Sequence, residues 1–65
     1  MDNVILIQFE DRYEDIVSTI GIAQSIDVAE RYTAALATAY PDAYGDNVGM
    51  FIYTPFEMIT ENDIP

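Results

Sequence analysis

Cysteine, histidine and lysine are all absent from this chain, and each absence removes a class of explanation. Without cysteine there are no disulfides and no thiolate metal sites, which fits a cytosolic protein. Without histidine, the commonest metal ligand and the side chain that titrates near neutral pH are missing. Without lysine, a Ser/Lys nucleophile pair cannot be built. Carboxylate pairs alone can hydrolyse glycosides, but a domain this short has little room for a sugar cleft, and its acids fall on predicted turns. Glycine is scarce, and "GDNVG" is too short and too acidic to cradle a phosphate. No enzyme activity and no cofactor is therefore expected. No apolar run approaches the roughly 20 residues that span a bilayer, and the acidic start "MDNV" is unlike a signal peptide. The expectation is a cytoplasmic protein with no membrane segment.

The chain has 65 residues, so a single domain is the ceiling. At this size about 60% of the unfolded surface is buried, and apolar burial roughly cancels chain entropy. With disulfides and thiolate metals excluded, stability must come from good packing or from self-association. Twelve acids face two arginines, giving a formal charge of −10, yet 51% of the residues are hydrophobic. That is too apolar for a disordered acidic tail. The chain should fold and present a negative surface, which repels nucleic acid and anionic lipid and attracts basic proteins. No direct nucleic-acid partner is expected.

Residues 3–10, "NVILIQFE", are apolar on both faces at first, as a central strand requires. "DRYED" reads as a hairpin loop. "IVSTIGIAQ", residues 16–24, competes between helix and strand; β-branching and Gly21 favour strand. Its alternation puts Ile16, Ser18, Ile20 and Ile22 on one side and Val17, Thr19, Gly21 and Ala23 on the other. "SIDVAERYTAALATAYP" predicts a helix capped by Ser25 and ended by Pro41 and Gly45. Val28, Ala29, Tyr32, Leu36, Ala39 and Tyr40 fall on its inner side, so Tyr32 and Tyr40 read as core. "DAYGDN" reads as a loop. Residues 48–59 form a third strand, with Met50, Ile52 and Thr54 opposed to Phe51 and Tyr53, and Pro55 marks an edge or an end. The fold class is α+β: a β-β-α-β domain over residues 1–60, with a three-stranded antiparallel sheet in the order 2-1-3 and one helix on one face. Residues 61–65 read as a frayed tail.

One helix covers one face. If Ile5, Ile7 and Phe9 meet it, then Val4 and Leu6 face away beside Val17 and Thr19, with Phe51 and Tyr53 as the side of the third strand that joins them. A bare apolar face of this kind usually marks an interaction surface; a two-fold homodimer is the cheapest way to cover it and the expected one, a second protein is the other, and a well-packed monomer with a modest exposed patch is the plain alternative.

The acids cluster in the hairpin (Glu10, Asp11, Glu14, Asp15), after the helix (Asp42, Asp46) and near the C-terminus (Glu57, Glu61, Asp63). Asp42, Asp46 and Asn47 offer oxygens suited to Ca²⁺ or Mg²⁺, but EF-hand spacing is missing and a plain loop is the better reading. Two purposes fit the acids: dispersal of a sticky small protein, or contact with a basic groove. Same-face residues on a strand stand about 7 Å apart, close to two base-pair rises, which makes mimicry of DNA a hypothesis. Tyr13 and Tyr44, set among the acids, are candidate anchors for a partner.

"AQSIDVAERYTAALATAYP" followed by "VGMFIYTP" resembles the helix-and-return-strand unit of small acidic phage-encoded inhibitors, over residues 16–55. The resemblance is one of pattern and composition. It implies a non-enzymatic inhibitor that blocks basic surfaces of nucleic-acid-handling or defence proteins, and it assigns no residue a role.

Overall fold

The structure, a computed structural model, describes residues 3–65. Its elements are β1 (Asn3–Asp11), β2 (Val17–Ala23), α1 (Ile26–Ala39), α2 (Pro41–Tyr44) and β3 (Gly49–Glu57). The strands form one antiparallel sheet in the order β2-β1-β3. This is the α+β arrangement expected from the sequence. The strand apolar on both faces lies in the middle, and Pro55 lies on an edge strand, where its missing N–H costs no ladder bond.

The added element is α2, in the segment expected to be loop. Pro41 disfavours helical geometry at Tyr40 (φ −131, ψ 64), so α1 stops. The same ring suits the first position of a new helix. Gly45 closes that turn by donating to Pro41 O at 3.0 Å. A Cβ on Gly45 would lie 2.5 Å from the same oxygen.

A β-bulge changes which side chains of β2 face the helix. Ile7 pairs with Gly21 but Gln8 pairs with Thr19, leaving Ile20 as an extra residue. Val17, Thr19 and Ile22 therefore share the open side with Glu10, Gln8 and Leu6. Gly21 and Ala23 lie beneath the helix with Ile7 and Ile5. Unbroken alternation had put Gly21 and Ala23 with Val17 and Ile22 opposite them; both placements are corrected. Ile20, half-buried, packs against the core.

Ser25 caps α1 by accepting from Val28 N at 3.2 Å. The buried stripe is Ala29 and Thr33, flanked by half-buried Val28, Leu36 and Ala37. Tyr32 and Tyr40 are 51% and 59% exposed, correcting their reading as core. The helix rests on a narrow sheet through small residues, and its tyrosines fall outside the contact. Thr33 is buried because its hydroxyl is satisfied. It donates to Glu30 O at 3.1 Å and so accepts from Tyr53 OH at 2.6 Å. Tyr53→Phe is expected to cost about 1 kcal/mol, read as a lower urea midpoint; an unchanged midpoint would show that this bond adds nothing.

The core consists of Ile5, Ile7, Phe9, Ala23 and Ala29. Phe51 lies opposite Phe9, and Tyr53 opposite Ile7, on the helix side of the sheet. Their assignment to the open face is therefore corrected. Phe9 meets Phe51 and Tyr44 edge-on, with centroids 5.0 and 5.2 Å away, and Tyr44 stacks on Phe51 at 5.8 Å. This trio closes the end of the core nearest the hairpin. Tyr44 is thus a half-buried packing residue and not a free anchor. Beyond β3, the stretch expected to fray carries one 3₁₀ turn, Glu61–Asp63. Asp63 Oδ2 accepts from Thr60 N and Oγ1 there, at 2.8 and 3.2 Å.

Candidate functional site

The hairpin is built by its own first acid. Asp11 Oδ1 accepts from the backbone N–H groups of Tyr13 and Glu14 at 2.8 and 3.0 Å, the bonding of an Asx turn. Asp11 N donates to Ile16 O at 2.8 Å and closes the loop. Asp15 sits at φ 57, a left-handed conformation that Asp tolerates better than most residues. Asp11 is therefore committed to the turn, while Glu14 and Asp15 stand exposed. Tyr13 is 78% exposed.

A second backbone bond gathers more acids. Arg12 N donates to Val48 O at 2.8 Å, tying the hairpin to the loop between α2 and β3. Arg12 then stands between two clefts. One, of about 180 Å³, is lined by Glu10, Asp11, Asp15 and Met50. The other, of about 540 Å³, lies between α1 and β3 and includes Glu30 and Asp46. Among the described residues the one ion pair is Arg31–Asp27, at 2.9 Å on the exposed side of α1. Arg12 is the single cation among these acids, and none of them is in ion-pair contact with it. Asp42 is exposed on α2. No group of three or more metal-ligating acids is assembled among the described residues.

The open sheet face carries four cross-strand rows: Val4–Phe56, Ile22–Leu6–Thr54, Thr19–Gln8–Ile52 and Val17–Glu10–Met50. Val4, Leu6, Val17 and Thr19 lie where the sequence placed them. Ile22, Met50, Ile52 and Phe56 are additions. Ile52 is half-buried, while Met50 and Phe56 are 59% and 51% exposed. The signal that could have found them was the pairing of Phe9 with Phe51, which fixes the parity of β3. Glu10 links the two candidate surfaces, closing the last row of the face next to the hairpin.

The chain matches no protein-family model, no curated protein and no solved structure. No helix among the described residues is long and apolar enough to cross a membrane. The case for function therefore rests on the chemistry of these two surfaces.

Proposed function

We propose that this chain is a non-enzymatic protein-binding module of the cytoplasm, whose acidic hairpin end occupies a basic surface of a nucleic-acid-handling protein and inhibits it by displacing nucleic acid. The observation that carries this reading is the gathering of Glu10, Glu14, Asp15 and Asp46 at one end with no cation in ion-pair contact among the described residues. Such a concentration of like charge destabilises a small fold, and a basic partner relieves it. Exposed Tyr13 supplies a rigid amphipathic contact at the tip. A second reading, a homodimer whose acids serve only dispersal, draws on the bare sheet face.

Affinity capture from lysate separates the two. Capture of basic nucleic-acid-binding proteins should weaken steeply between about 50 and 200 mM salt, and duplex DNA should compete it away. Glu14→Lys with Asp46→Lys and Asp15→Asn should abolish it. Asp11 is spared because it holds the turn, and Asn is chosen at Asp15 because it also accepts the left-handed backbone. Capture that survives these three changes, or that DNA does not displace, rejects the hairpin as the binding element.

A further inference from the structure

We propose that a second copy of this chain covers the open sheet face, giving a two-fold dimer packed sheet on sheet. The proposal does not depend on what the acidic hairpin binds.

The chain exposes more surface than its mass calls for. The chain exposes 4959 Å², whereas a folded monomer of 7.3 kDa is expected to expose about 4,200 Å². The chain as a whole thus exposes about 800 Å² more than expected, the size of one partner's share of a standard interface, and on the open face Val17, Ile22, Met50 and Phe56 are each at least half exposed. Shape agrees. The radius of gyration is 13.9 Å and the smallest extent 11 Å, against an expected radius of about 11 Å for a compact domain of this length. The molecule is a long slab with one side of its sheet uncovered. Stable domains bury each apolar sheet face against another layer, and two such faces pack about 10 Å apart with strands nearly aligned.

The composition of the face points to its occupant. Among the described residues, Glu10 is the only acid in the four rows of the open face. A basic partner would be met by carboxylates, and this face withholds them. Apart from Glu10 it presents Val, Leu, Ile, Met and Phe with the neutral polar groups of Gln8, Thr19 and Thr54. A neutral apolar surface on a chain of net charge −10 complements another neutral apolar surface, and its own copy supplies one. Two-fold pairing uses the same patch twice, so each exposed apolar row gains cover without a new surface.

Because both copies are strongly negative, the pairing is opposed by long-range repulsion. Salt screens it, cutting the Debye length from about 8 Å at 0.15 M to about 3 Å at 1 M. Dimerisation should therefore strengthen with salt, opposite to capture of a basic target.

Sedimentation equilibrium tests this at about 100 µM, above the micromolar end of affinities for interfaces of this size. The wild-type chain is expected at twice 7.3 kDa, with more dimer at 1 M than at 0.15 M salt. Ile22 is 71% exposed in the single chain, so Ile22→Asp should leave the far-UV circular dichroism unchanged. It would place a carboxylate within the proposed interface on both copies, at the β2 side of the face, weakening association by about 100-fold or more. Glu14→Lys, outside the face, should dimerise at least as well as wild type. A wild-type monomer at both salts overturns the proposal, as does an Ile22→Asp chain that still dimerises. A monomer whose face becomes protected from hydrogen exchange only when polylysine is added also overturns it, and assigns the face to a basic partner.

Discussion

Gly49→Ala is expected to remove most of the stability of this chain. A Cβ at Gly49 would fall on the carbonyl oxygen of Glu10 and 2.9 Å from the ring of Phe9. Neither neighbour can give way cheaply. Glu10 is paired with Met50 and Val17 in the central strand, and Phe9 is locked between Phe51 and Tyr44. Relief requires β3 to back away from β1 where it enters the sheet, opening the aromatic trio. Overpacking of this kind costs about 3 kcal/mol, and a core of this size supplies only about 3–5 kcal/mol in total. Urea unfolding at one fixed protein concentration would show a midpoint near zero, or no cooperative transition. Gly21→Ala is the matched control. Its Cβ meets nothing within 4 Å, so that variant should be neutral or more stable by about 0.4–1 kcal/mol. Equal midpoints for the two alanine variants would show that β3 does not need the close approach at Gly49.

The second large effect is Phe9→Ala. Phe9 is buried and is the one ring that meets both other members of the trio edge-on. Deleting a buried phenylalanine side chain costs about 3–5 kcal/mol, and the loss of two edge-on ring contacts falls within that cost. In a domain of 60–100 residues each kcal/mol moves the melting temperature by about 4–8 °C. Phe9→Ala should therefore melt at least about 12 °C lower, or be unfolded at room temperature. The NMR ring resonances of Tyr44 would report the same event, since the ring leaves its stack on Phe51 as the end of the core opens. A drop of only a few degrees would mean that Tyr44 and Phe51 collapse into the space, and that the trio is looser than its geometry implies.

The strand order, the helix and its serine cap were legible because each follows from one strong local signal. The first strand is apolar on both faces, and Ser25 precedes an alanine-rich segment. Faces were harder. The parity of β2 depends on one extra residue, Ile20, and nothing local distinguishes a bulge from unbroken alternation in "STIGIA" except Gly21. The parity of β3 was ambiguous because Met50 and Ile52 are as apolar as Phe51 and Tyr53. Only pairing with Phe9 and the hydroxyl bond to Thr33 settles it, and both are long-range. Tyr44 looked exposed because it follows Pro41, which reads as a stop but begins a second helical turn that carries the ring onto Phe9. In the hairpin the cluster of acids was plain. That Asp11 is occupied by the turn's own N–H groups was not, because counting charges does not show which are already bonded.

The two outer strands each carry an interruption: the extra residue Ile20 in β2, and Pro55 in β3 with no N–H to offer. A neighbouring chain cannot extend the hydrogen-bonded ladder smoothly along either rim. Side-by-side growth into ribbons or filaments is thereby disfavoured even at high salt, when charge no longer keeps molecules apart. In the proposed dimer the flat of the sheet is the surface used, and a surface used up by one encounter would halt growth at a finite particle.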